Sequence, residues 1–253
     1  MIGTNRAAAF ISALILAATA AHAAILVDLT TAGSSGIING AIYQQVQPQP
    51  TGTGTLNTFL RMQRNGVEQG FNTDFRPTLF DEMNDSTSLL LSRAPKVTID
   101  GTIYREFLLD INENNSSPLL SLNDVEIFLG IQPDAAGFAN LGTMVYKMDA
   151  AANNSVKLDS SLNNGSGSGD MLLYVPDSNF ADVTGPYVYL FSRFGQAIPN
   201  DNSDVTSDGG FEEWSAGKKG PNGTIVPITP VPEPASLSLL IVASATLLRR
   251  RGR

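Results

Sequence analysis

The stretch KVTIDGTIYREFLLDI, residues 96–111, decides the fold. Asp100-Gly101 sits between two apolar, β-branched and aromatic runs. An Asp-Gly pair in that setting marks a two-residue hairpin turn, because both central positions need positive φ. On one flank Val97 and Ile99 stand two apart, and on the other Phe107, Leu109 and Ile111 do the same. A period of two is the spacing of one face of a strand.

Working outward, the same pattern recurs between turn clusters. Strands are expected near 25–29, 37–43, 56–63, 88–91, 125–129, 144–148, 155–158, 171–175 and 187–191, besides the hairpin itself. Ser121 and Asp124 have capping-box spacing, and 176–180 opens with Pro, so each predicts a short helical turn. Short strands at this spacing predict an all-β fold: a two-sheet antiparallel sandwich, jelly-roll-like, over residues 24–216. The segments 45–54 and 163–170 read as loops, and 217–231, rich in Gly, Pro and Lys, as a linker.

Residues 1–23 have one early basic residue, an apolar run and Ala21-His22-Ala23, the layout of a signal peptide removed between Ala23 and Ala24. At the other end, residues 235–248 form an apolar run that as a helix would rise about 21 Å, short of the ~30 Å hydrocarbon layer. Arg249, Arg250, Arg251 and Arg253 would stay on the cytoplasmic side. Pro232-Glu233-Pro234 is excluded from helix interior, since Pro lacks an N–H and forces the preceding residue extended. Signal helix and short C-terminal helix are thus expected to flank the sandwich.

Between those ends the chain keeps 11 Lys and Arg against 23 Asp and Glu, a net charge near −12. Such a surface repels phosphate backbones, so no nucleic-acid partner is expected. There is no cysteine, and the single histidine, His22, lies in the signal segment. Thiolate chemistry, Ser-His-Asp triads and His-ligated metals are therefore excluded from the mature chain. Carboxylate-only chemistry survives.

The tail, with its Pro-Glu-Pro, short apolar stretch and arginine cluster, resembles the PEP-CTERM sorting signal of exported proteins in Gram-negative bacteria that make extracellular polysaccharide. The resemblance covers residues 232–253. It implies an exosortase, a membrane Cys transpeptidase, as partner after signal peptidase, with cutting near Pro232, Glu233 and Pro234 and only transient membrane anchoring. The stretches YREFLLDINENN, GSGSGDMLLYVPDSNF, PYVYLFSRFG and GGFEEWS are similar to a domain recurring among such exports. That similarity implies no catalytic residue.

Two acidic stretches suit calcium, which takes six to eight hard oxygens. Asp110, Asn112 and Asn114 stand at alternate positions, and Asp204 and Asp208 lie in NDNSDVTSDGG. Neither completes an EF-hand loop, because the twelfth positions are Ser121 and Ser215. Asx-rich turns account for both equally. No other cofactor is expected. Trp214 either stacks on a sugar or packs over a core edge. Asp110/Glu113, Asp124/Glu126 and Glu212/Glu213 are the carboxylate pairs a glycosidase would need, and Asp124 and Glu126 would share a strand face. GSGSG at 165–169 lacks the Gly-Lys-Ser/Thr ending of a phosphate loop.

The expectation is an exported, non-enzymatic structural or adhesive protein of the cell envelope or extracellular matrix, with polysaccharide or envelope components as partners. Two alternatives stay open: a carbohydrate-binding module, calcium-dependent or not, and a His-free polysaccharide hydrolase or lyase.

Overall fold

Asp100 and Gly101 make the turn the sequence demands, with φ of +48° and +81°. The computed structural model describes residues 23–46, 56–163, 169–219 and 224–228. In chain order its strands are β1 (Leu26–Asp28), β2 (Ser35–Ile38), β3 (Ala41–Gln45), β4 (Leu56–Met62), β5 (Asn65–Gly66), β6 (Glu68–Phe71), β7 (Leu89–Leu90), β8 (Lys96–Ile99), β9 (Thr102–Ile111) and β10 (Leu119–Gly130). Then come β11 (Thr143–Lys147), β12 (Ser155–Asp159), β13 (Met171–Pro176), β14 (Tyr187–Phe194), β15 (Ser207–Asp208), β16 (Glu212–Lys219) and β17 (Ile225–Val226). The hairpin of the opening stretch is β8–β9, in register from Lys96 opposite Arg105 to Ile99 opposite Thr102.

These strands form an all-β sandwich of two sheets. The first runs β1-β12-β10-β14-β6, with β11 on β10 and β7 on β14. The second runs β17-β16-β9-β13-β3-β2, with β8 on β9 and β4 on β16. Pairing is antiparallel apart from β1, which lies parallel to β12. A two-strand ribbon, β15 on β5, closes one end. Among the described residues no helix is long and apolar enough to cross a membrane. Both expected terminal helices lie outside the described residues, as do Pro232, Glu233, Pro234 and the four arginines.

The main core lies between the sheets. Phe107, Leu109 and Ile111 of β9, Leu173 and Val175 of β13 and Trp214 of β16 belong to one cluster with Val125, Ile127 and Leu129 of β10 and Val188 and Leu190 of β14. Two polar contacts pin sheet to sheet within it: Tyr43 Oη to Tyr146 Oη at 2.8 Å, and Trp214 Nε1 donating to Ser192 Oγ at 3.0 Å. Each sheet is also covered outside. Phe71, Phe128, Tyr189 and Phe191 pack with Ala135 and Leu141 over the first sheet. Leu108, Leu172, Tyr174 and Val97 pack with Ile228 over the second. Burial on both faces explains why "REFLLDI" and "LSLNDVEIFLG" lack clean alternation: Arg105 through Ile111 and Leu120 through Gly130 are all buried.

Three expectations change. Ser121 and Asp124 cap no helix; both sit inside β10, where Ser121 Oγ donates to the Gln196 carbonyl at 2.7 Å. "EEWSAGKK", which the strand expectations left out, is a strand, β16, held between β4 and β9. The presumed linker from 217 is largely part of the sandwich. β16 runs on to Lys219, β17 pairs back on Lys218 and Lys219, and the Ile228 N–H donates to Glu106 Oε1 at 2.6 Å. Burying Ile228 contributes about 1.5–3 kcal/mol, which outweighs the local Gly-Pro signal. The turn expected at 176–180 is present as a 3-10 turn over Asp177–Phe180.

Candidate functional site

One end of the sandwich gathers carboxyls from four places in the sequence. Glu212 opens β16 opposite Ile111 of β9 and Met62 of β4. Side chains alternate along a strand, so Glu212 points the same way as Trp214 and Ala216, into the space between the sheets. Glu68 opens β6 on the opposite sheet, beside Phe194 of the main core. Both glutamates are 0 % exposed. Their carboxyls lie close enough to disturb one another's ionisation. Glu113, two residues past β9, lies near both the Glu212 and the Asp208 carboxyls. The result is a row from half-exposed Asp208 and Glu113 inward to Glu212 and Glu68.

The loops that hold this row are stitched together by backbone donors. The Asp208 N–H donates to Glu113 Oε2 at 2.8 Å, and the Asn114 N–H donates to Asp208 Oδ2 at 2.7 Å. The Arg64 N–H donates to Glu68 Oε2 at 2.9 Å, and Ser207 Oγ donates to the Arg64 carbonyl at 2.9 Å. Gly210 is forced by close approach: a Cβ there would lie 1.4 Å from the Asn112 carbonyl oxygen.

The electrostatics of the row are unusual. Glu68 Oε1, Glu113 Oε1 and both oxygens of Glu212 are buried with no hydrogen-bond donor. None of the ion pairs among the described residues includes Glu68, Glu113 or Glu212. Burial pushes the Glu113 carboxyl up to about 8, with the neighbouring Asp208 adding to the rise against the Asp208 N–H. Burial, then the Glu68 and Glu113 carboxyls, push Glu212 well above the ordinary range. Glu68 is raised by burial, against hydrogen bonds from Glu212 and the Arg64 amide. Buried polar atoms in native proteins nearly always find partners, so four orphan oxygens in one place mark a site. Among the described residues no group of three or more Asp, Glu, His or Cys side chains could hold a metal ion.

The residues expected to bind calcium are near this end but are not its centre. The two acidic stretches do meet, through the Asn114 amide and the Asp208 carboxylate. Asn112 Nδ2 donates to the Phe211 carbonyl at 3.1 Å. Asp110 is buried within β9 and, by strand alternation, faces away from Ile111, toward Asp170. Asp204 caps its own turn, accepting from the Thr206 N–H and Oγ1. Of the expected set, only Asp208 is in the row.

The carboxylate pairs also separate. Glu212 and Glu213 are consecutive on β16 and face opposite ways; Glu213 is bound to Arg61 Nε at 2.5 Å. Asp124 and Glu126 do share a face of β10, but Lys147 Nζ holds Glu126 at 2.6 Å. Burial, then Glu126, push Asp124 up to about 6, against Lys147 and Arg193. Trp214 is 0 % exposed in the core, so the sugar-stacking role falls. Ala23 and Ala24 are exposed just before β1.

Glu68 and Glu212 as a facing pair were missed. The sequence does carry one signal for Glu68: Asn65-Gly66 is a hairpin-type pair, and it places Glu68 just past a turn. For Glu212 no local signal separates it from Glu213.

Away from this end, a shallow cavity of about 300 Å³ opens between Asn57, Thr58, Ser88, Arg93 and Tyr187. Compared with known proteins, the chain matches no family model, no curated protein and no solved structure.

Proposed function

We propose that this chain is an exported protein of the cell envelope or extracellular matrix, structural or adhesive in role, delivered and processed through its C-terminal sorting segment. The observation that carries this reading joins fold to tail. The sandwich runs to Ile228, held by Glu106, and Pro232 comes four residues later. Four extended residues reach at most ~14 Å. The body would thus be carried close to whatever membrane or acceptor handles the tail, with little slack. The test is intact mass of the protein from its own host, by cell fraction. A species beginning at Ala24 and ending near Pro232–Pro234 supports the proposal. A species retaining Leu248 and the arginines replaces it with a permanently anchored envelope protein.

A second reading, a carbohydrate-binding module, draws on the cavity. Arg93, Asn57 and Thr58 offer donors and acceptors beside the Tyr187 ring, the mix a sugar needs. A glycan array with the chain and with Tyr187→Ala tests it. Binding lost in the variant supports it; no bound glycan removes it.

A further inference from the structure

We propose that the cavity between Asn57, Ser88, Arg93 and Tyr187 binds one uronate unit of an acidic polysaccharide, with the Arg93 guanidinium on the sugar carboxylate; this deepens the carbohydrate reading of that cavity and rests on it. Between the two terminal segments the chain has eleven Lys and Arg. Six of them pair with carboxylates, Arg76 with backbone carbonyls and Arg193 with Gln69. The other three, Arg93, Lys218 and Lys219, have no hydrogen-bond or ion-pair partner among the described residues. They are not scattered. Lys218 lies opposite Leu56 at the start of β4, beside Asn57 of the cavity wall. Pro95, two residues past Arg93, lies 2.7 Å from where a Cβ on Gly217 would stand. Next along the chain, Lys96 shares the single carboxylate of Asp177 with Arg105. A body of net charge near −12 thus keeps one positive edge, and an acidic polymer repelled elsewhere can approach there.

The cavity exists because the chain changes sheets. The Thr87 N–H still bonds the Phe59 carbonyl of β4, in the second sheet, and two residues later Leu89 pairs with Val188 of β14, in the first. The gap so opened is lined by Phe59 and Leu89, both buried in the main core, so both sheets fix its walls. No Asp or Glu lines it. Ser88 gives its N–H and its hydroxyl to Asp74. The Arg93 guanidinium, the Asn57 amide and the Tyr187 hydroxyl have no partner among the described residues. A guanidinium fork matches a planar carboxylate with two parallel N–H···O bonds. The Tyr187 ring offers an apolar face to a pyranose, and the Asn57 amide can both donate to and accept from its hydroxyls. A volume of about 300 Å³ is at the lower end for ligand sites and suits one sugar unit. A neutral hexose would use the ring and the amide but not the charge.

Calorimetric titration of the full chain with short oligomers of galacturonate, glucuronate and mannuronate, each as carboxylate and as methyl ester, tests it. At least one carboxylate form should bind about ten-fold or more tighter than its ester, the worth of a charge-assisted pair. Arg93→Ala should abolish that preference and leave binding of the ester unchanged. Arg93→Lys should restore only part of it, since an ammonium cannot make the paired bonds. Arg93 is the exposed last residue of the 3-10 turn Leu91–Arg93, so both variants should melt with the parent. Lys218→Ala together with Lys219→Ala should weaken the carboxylate form about two- to three-fold at low salt and not at high salt. Equal binding of carboxylate and ester would overturn the uronate and leave the carbohydrate reading in place. No binding of either form would also overturn it, and the glycan array then decides the carbohydrate reading alone. Binding of anionic-lipid vesicles or polyphosphate as tight as the uronates, unmoved by Tyr187→Ala, would overturn it in favour of a general anion-binding edge.

Discussion

The two ends of β9 handle buried charge in opposite ways. Near its start, Arg105 lies against Asp177 at 2.7 Å, with Lys96 on the other carboxylate oxygen at 2.7 Å. Arg105 Nη1 also donates to the carbonyls of Leu91 and Ala94, and its guanidinium lies over the Phe180 ring. Burial opposes ionisation of Asp177, but hydrogen bonds from Lys96 and Arg105 outweigh it and hold that carboxyl below its ordinary value. Past its other end, Glu113 lies near Glu212 and Asp208, and no ion pair among the described residues includes any of the three. Burial alone does not mark a carboxylate as special. The marker is burial without compensation, and the strand displays both cases within about ten residues.

Breaking the compensated end should have the largest effect. Arg105→Ala leaves Asp177 with Lys96 alone, the Leu91 carbonyl with only the Ala94 N–H and the Ala94 carbonyl with no donor, and it removes the packing of the Arg stem; it should cost about 3–5 kcal/mol in urea unfolding. At the opposite end, Gly210→Ala forces a methyl group onto the Asn112 carbonyl. The loop must shift, at about 2–4 kcal/mol, and the same denaturation series measures it.

Asp124 is an intermediate case that sharpens the contrast, since Lys147 and Arg193 are near but do not outweigh burial. Its folded value of about 6 lies above the ordinary 3.8. The stability it contributes is therefore present below pH 3.8 and lost as pH rises through about 6. Asp177 has the opposite sign: its contribution is present above 3.8 and lost as pH falls through its lowered folded value. Asp124→Asn should thus gain about 1–3 kcal/mol over the parent at pH 8 and nothing at pH 3, read from unfolding curves across pH. Smallest of all, Lys96→Ala removes a half-exposed partner and should cost under about 0.5–1 kcal/mol, vanishing in high salt.

What could be read from the sequence follows the range of the interaction. The β8–β9 turn was legible because Asp100-Gly101 sets its own φ values. The sandwich class followed from the same local pattern. Trp214 was not legible, since whether a strand residue faces core or solvent changes with a one-residue slip in register. Glu212 and Glu213 carry that ambiguity in its sharpest form: identical side chains, adjacent positions, one orphaned inside and one ion-paired outside. Glu113 lies between Asn112 and Asn114, whose alternate spacing with Asp110 reads as ligation. Only the pairing of β6 with β14 and of β16 with β9 brings Glu68, Glu113 and Glu212 together, and pairing is a long-range property. The docking of Ile228 was hidden for the same reason.

That docking has a mechanical consequence. A pull applied to the chain beyond Ile228 would not load the sandwich all at once. It would first lift a single side chain and then unzip β17 from Lys218 and Lys219, two residues at a time along an antiparallel ribbon. Only after that would tension reach β16, which is clasped by β4 on one side and β9 on the other and must shear both ladders to move. The C-terminal strap is in this sense a weak link in series with a strong one: it yields early, lengthens the connection by several residues, and leaves the body folded under the load.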